Sequence, residues 1–193
     1  MVYHENQDSY YFNTESDFNI TLRNHSRRVF MTKQPTMEIS KYHSADFDAF
    51  AQMVGVCWIE DYKETLYNNP PVGMCNAMVQ SADDGIMPID ILRLDGSPIG
   101  FIMYQIDSPK SDWCEKEGYG CIREMYIHKN YRKKGYGKAL VAHAENELKK
   151  LSAQHIYLTA DDDNSIAFWL RVGYADTGEI CDKNNGNILI KRV

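Results

Sequence analysis

The sequence predicts a mixed α/β domain, and three observations carry that prediction. Short apolar runs of strand character alternate with stretches whose apolar residues recur every three to four positions. An Asp95-Gly96 pair divides two such runs, the strongest short-range hairpin signal. A basic, glycine-bearing run, Arg132-Lys133-Lys134-Gly135-Tyr136-Gly137-Lys138-Ala139, opens the most clearly amphipathic stretch of the chain.

The elements follow in order. Residues 1–35 are polar and aromatic without a clear period, with Tyr3, Tyr10, Tyr11, Phe12, Phe18 and Phe30 and a basic cluster at Arg23, Arg27 and Arg28. So many aromatics are unlike a disordered tail. They suggest an N-terminal extension packed on the domain or on a second subunit, or a lid over a site. The domain itself is expected over 36–193. Met37 to Tyr42 alternates as a strand. Ser44 reads as the N-cap of a helix carrying Phe47, Phe50, Ala51, Val54 and Trp58 on one stripe. Asn69-Pro70-Pro71 breaks the chain, and a second helix covers Gly73 to Gln80, ended by Asp83-Asp84-Gly85. Strands follow at Ile86 to Leu94, Ile99 to Ile106 and, after an acidic loop, Cys121 to Ile127. Gly135 to Leu151 is a helix with Leu140, Ala144 and Leu148 inward and Lys149-Lys150 in its last turn, where the helix dipole favours cations. Ile156 to Ala160 is a short buried strand. Asp161 to Asn164 cap a helix that runs to Val172 and stops at Gly173, and strands at Tyr174 and Asn187 to Lys191 complete the order β-α-α-β-β-β-α-β-α-β-β.

With 193 residues, 44% of them hydrophobic, the chain can bury a full core. No run approaches the ~18 apolar residues of a membrane span, and no secretory pattern opens the chain. A net charge of −6 argues against a general nucleic-acid binder and suits a cationic acceptor. Five scattered cysteines without a Cys-x-x-Cys point to free thiols in a reducing cytoplasm. The six histidines are isolated, so no metal site is expected.

The basic run at 132–139 has the physics of a diphosphate cradle. Glycines let the backbone approach a ligand closely, and the unpaired amides of a first helical turn favour phosphate oxygens. It is not a Walker A loop, since Ala139 follows Lys138 where Ser or Thr is needed. Nor is it a dinucleotide fingerprint, since Leu140 stands at the third glycine. It does fit Arg/Gln-x-x-Gly-x-Gly/Ala, after Met125-Tyr126-Ile127 and before a helix. In this it resembles the acetyl-CoA signature of the GCN5-related N-acetyltransferase (GNAT) superfamily. Phe168-Trp169-x-x-x-Gly173-Tyr174 is similar to that family's Phe-Tyr-x-x-x-Gly-Phe segment.

The resemblance spans 36–193 and implies a mostly antiparallel central sheet flanked by helices, its fourth and fifth strands splayed apart. It implies acetyl-CoA as co-substrate. Backbone groups of Met125, Tyr126 and Ile127 would bond the pantetheine arm as an added strand does. The loop of Arg132, Lys133, Lys134, Gly135, Tyr136, Gly137 and Lys138 would hold the diphosphate. Asn164, or Asp162 by an ungapped alignment, would meet the pantetheine unless both only cap the helix. The Ile127 N–H would face the developing oxyanion. Glu124 is the candidate base; the alternative is a buried partner for Arg123 or Arg171. Trp169 stands where many members carry the tyrosine that protonates the leaving thiolate, and indole is no acid at neutral pH. It would pack on the pantetheine or belong to the core, with Tyr126 or Tyr174 as replacement acids. The loop acids Asp112, Glu115 and Glu117 would attract a cation or merely be solvated. The acceptor wall is expected from 58–76, with Trp58 and Tyr62, from 107–120, with Trp113, and from the turn near Asn184.

The implied activity is N-acetyl transfer to a primary amine of a small molecule or peptide by direct attack in a ternary complex. The alternative is a non-catalytic acyl-CoA-binding sensor. No nucleic acid or membrane partner is expected, and a homodimer stays open.

Overall fold

The computed structural model describes residues 35–60, 72–111 and 114–193. The expectations placed on the aromatic N-terminal segment, on Asn69-Pro70-Pro71, on Tyr62 and on Asp112 and Trp113 lie outside them. Pro35–Val193 form one compact unit. Its elements are β1 (Met37–Lys41), α1 (Phe47–Glu60), α2 (Val72–Asp83), β2 (Ile89–Leu94), β3 (Ser97–Ile106), β4 (Gly120–Ile127), α3 (Tyr136–Lys150), β5 (His155–Ala160), α4 (Asp163–Arg171), β6 (Ala175–Ile180) and β7 (Asn187–Arg192). This is the order the sequence predicts.

Local chemistry sets the element ends. Ser44 is not the cap. His43 Nδ1 accepts from the Ala45 N–H at 3.2 Å, while the Asp46 carboxylate accepts from the His43 N–H at 2.9 Å. This reciprocal box opens a 3-10 turn, Ser44–Asp46, that runs on into α1. β2 starts at Ile89 instead of Ile86, because the Ile86 and Met87 amides still bond the Ser81 carbonyl at the end of α2. At the hairpin, Asp95 (φ 49°) and Gly96 (φ 81°) both take the left-handed conformation a type I′ turn demands.

The seven strands lie in the order β1-β2-β3-β4-β5-β7-β6, antiparallel except for β4 and β5. Side-chain alternation divides the core into two layers. Beneath α3, Leu92, Ile102, Ile122, Leu140, Ala144, Leu148 and Leu158 pack together. Beneath α1 and α2, Phe50, Val54, Cys57, Ile91, Phe101, Met103 and Tyr126 do so. β4 pairs with β3 along its length, with a bulge opposite Met103/Tyr104 that leaves Arg123 out of register. Pairing with β5 is confined to Gly120↔Ile156 and Cys121↔Tyr157. Beyond these pairs β4 continues against β3 alone and β5 against β7. The fourth and fifth strands are therefore splayed, as the resemblance implies.

Candidate active site

The open end of the splayed pair leads directly into the basic loop. After β4 the His128 N–H donates to the Ile99 carbonyl at 2.9 Å, and a 3-10 turn, Lys129–Tyr131, reverses the chain. Lys133 (φ 61°) and Gly135 (φ 88°) are left-handed, and Gly135 is the N-cap of α3 with no side-chain cap bond. The first bond of this helix is from the Ala139 N–H to the Gly135 carbonyl at 3.1 Å. The amides of Tyr136, Gly137 and Lys138 precede it and project from the positive end of the helix. A Cβ on Gly135 would have no heavy atom within 4 Å, so the backbone there borders open space. A Cβ on Gly137 would stand 3.3 Å from the Phe168 ring, so this glycine lets α4 pack against the helix start. Lys133 and Lys138 are exposed. The Lys134 ammonium turns back to donate to the Asn130 carbonyl at 2.9 Å and lies 5.6 Å from the Tyr131 ring centre, so Lys134 offers the loop its amide.

The edge of β4 is the second part. Since the His128 amide faces β3, backbone alternation turns the groups of Ile127 and Met125 to the opposite edge, where β5 has diverged. Tyr126 faces β3 through its backbone, and its buried side chain packs beneath α1 and α2. Glu124 and Tyr126 stand opposite Met103 and Phe101, so both side chains project on the α1/α2 face of the sheet. Glu124 is half-buried there.

The α4 residues divide between cap and core. Asp162 Oδ1 accepts from the Asn164 and Ser165 amides at 2.9 and 3.1 Å, so its carboxylate is spent on the cap, while Asn164 is exposed in the first turn. Trp169 is buried in the α3-side layer, edge-on to Phe168 and to Tyr174. Tyr174 shares that layer; burial, then the neighbouring Glu145 carboxylate, holds its phenol above the ordinary tyrosine range. Of the two tyrosines that could replace the missing acid, only Tyr126 is on the Glu124 face.

Among the loop acids, Glu115 lies 3.5 Å from the Lys183 ammonium. Asp107 organises this loop, although nothing in the sequence singles it out. It is buried and accepts from Gln105 Nε2 at 3.0 Å, from the Glu115 and Lys116 amides at 3.0 and 3.2 Å, and from the Tyr157 hydroxyl. The turn near Asn184 is tied to β5 by Asn184 Nδ2 donating to Thr159 Oγ1 at 2.8 Å. A cavity of about 530 Å³ opens at the other end of the sheet, lined in part by Lys41, Tyr42, Asp83, Gln105 and Leu151; of the stretches expected to form the site, only 107–120 reaches it, through Ser108 and Ser111. Among the described residues no cluster of three His, Cys, Asp or Glu side chains is placed to hold a metal, and no helix is long and apolar enough to cross a membrane.

A parallel pair that opens onto an amide-lined helix start suits a long, phosphate-bearing molecule laid along a strand edge, the arrangement of coenzyme A-dependent acyltransferases. The sequence model of the acetyltransferase (GNAT) family matches residues 42–174, and the chain belongs to that family. It is an N-acetyltransferase with acetyl-CoA as its co-substrate. A probable spermine N(1)-acetyltransferase of Bacillus subtilis subsp. natto is 28% identical over 148 residues, 75% of this chain and 83% of the relative. A spermine/spermidine N(1)-acetyltransferase of Bacillus subtilis strain 168 is 27% identical over the same shares. The crystal structure of the PaiA N-acetyltransferase of Thermoplasma acidophilum, in complex with coenzyme A, superposes with a TM-score of 0.62 at 20% identity, covering 82% of this chain and 99% of the other.

Gly135→Ala tests the loop's conformation. An L side chain at φ 88° costs about 1–2 kcal/mol, so the unfolding midpoint in denaturant should fall accordingly. If the loop holds the diphosphate as the resemblance implies, calorimetry should show weaker acetyl-CoA binding in the same variant.

Proposed function

We propose that this enzyme acetylates a primary amine of a small polyamine by direct attack in a ternary complex. The observation that carries this reading is the placement of Glu124 on the α1/α2 face of the strand whose open edge leads into the amide-lined loop. The acidic net charge and the two polyamine acetyltransferases among the relatives support a polycationic acceptor.

The amides from Lys133 to Lys138, with the Lys133 and Lys138 side chains at hand, receive the diphosphate. The edge groups of Met125 bond the pantetheine arm, with Asn164 flanking. Trp169 supports this wall from the core through Phe168, which packs on Gly137. The bound co-substrate supplies an activated acetyl thioester. Glu124 takes the proton of an amine whose free pKa is ~10.4, directly or through water. The Ile127 N–H donates to the oxygen that gains charge. A thiol of pKa ~8.5 needs little help to leave as the anion, and Tyr126, whose side chain shares the Glu124 face, is the candidate to protonate it.

Thiol release in the presence of acetyl-CoA and a panel of polyamines, aminoglycosides, amino acids and peptides tests the reading. Turnover is expected with polyamines above all. Turnover with peptides alone would replace the acceptor.

A further inference from the structure

We infer that Arg132 is a positioning residue for the reacting strand, acting through the backbone of β4 as well as through its charge. Its Nε–H donates to the Ile127 carbonyl at 2.8 Å, and its guanidinium carbon lies 5.6 Å from the centre of the Tyr126 ring. The peptide joining Ile127 to His128 is thereby held at both ends, its carbonyl by Arg132 and its N–H by the Ile99 carbonyl. The Arg132 amide also donates to the Lys129 carbonyl, closing the turn between strand and loop. This strut stands where β4 has lost β5 as a neighbour, so no ladder holds the strand from that side. A guanidinium suits the task because its planar fork fixes direction and its face covers an aromatic ring. The Ile127 N–H is one peptide away from the clamped unit. Arg132 therefore sets the orientation of the proposed oxyanion donor and its distance from the diphosphate amides.

The inference rests on the proposed use of the β4 edge, and two measurements separate it from that reading. In the first, Arg132→Gln is compared with the unaltered enzyme on acetyl-CoA and on acetyl-pantetheine, which lacks the diphosphate. A strut predicts that kcat falls about tenfold or more on both donors, the range for losing a charge-assisted hydrogen bond. A phosphate ligand alone predicts a raised KM for acetyl-CoA with acetyl-pantetheine unaffected. In the second, amide hydrogen exchange is followed in the ligand-free full chain. Exchange at 125–128 should quicken several-fold in Arg132→Gln while α3 and β2 keep their protection. Unchanged exchange at 125–128 would overturn the inference whatever the activity, and it decides the matter even if no acceptor is turned over. Quickened exchange with no turnover in the unaltered enzyme would uphold the strut and sink the catalytic reading.

Discussion

Glu124→Gln should lower kcat on the best amine by about 10²–10³-fold, the contribution of a positioned general base. Glutamine keeps the side chain's length and an acceptor oxygen but cannot take up the proton. The KM for acetyl-CoA should stay nearly constant, because Glu124 projects on the α1/α2 face while the cradle amides and the open β4 edge lie elsewhere. The pH profile is the sharper readout. Without a base, the rate follows the fraction of amine already neutral, so log kcat/KM should climb steadily as pH rises toward the amine's own pKa. With the base in place, the profile should flatten at lower pH. Steady-state kinetics across neutral and alkaline pH test this. A variant with unaltered kcat would leave Glu124 a structural residue.

Asp107→Ala should cost about 3–5 kcal/mol of stability, measured by the denaturant midpoint at constant m-value. The carboxylate is buried, and its removal strands a glutamine amide, two backbone amides and a phenol that now bond to it. Burial and the nearby Cys121 and Asp107 hold the Tyr157 phenol above its ordinary range, so Tyr157 enters this network as a donor. Asp107→Asn keeps one accepting oxygen but turns an NH2 toward donors, and should fall between the unaltered protein and the alanine variant. Tyr157 pairs with Cys121 where β4 and β5 last touch, so the network pins the vertex of the splay. A loss of turnover in Asp107→Asn at temperatures where the protein remains folded is therefore expected as well. An unmoved midpoint in Asp107→Ala would show that water replaces the carboxylate at no cost.

Much of this architecture was legible because it depends on neighbours in sequence. The Asp95-Gly96 turn, the α3 stripe and Gly135 each answer a local steric demand, and each element lies where that demand puts it. The splay could be expected only through the family resemblance; nothing in the period of either strand says that two parallel neighbours separate after two pairs. Asp107 gave no signal, because its partners lie from 2 to 50 residues away and are gathered only by folding. Arg132 drew attention as charge beside a phosphate loop; its grip on Ile127 depends on a turn whose direction no motif encodes. At His43 the cap lies one residue before the serine that the sequence offers, since an imidazole nitrogen takes the capping role that a serine usually fills.

The parted strands also bear on how acetyl-CoA is gauged. A peptide strand entering a sheet finds its register from alternating side chains and from its turns. A pantetheine arm has neither, so the gap by itself leaves it free to slide. Register must come from the anchored end, and in the proposed mode that anchor is a helix start set at a constant offset from β4 by the turn at 128–135. In the proposed binding mode the span from diphosphate to sulfur would work as a ruler, with the acyl carbon falling beside Ile127 only for a donor of the right reach.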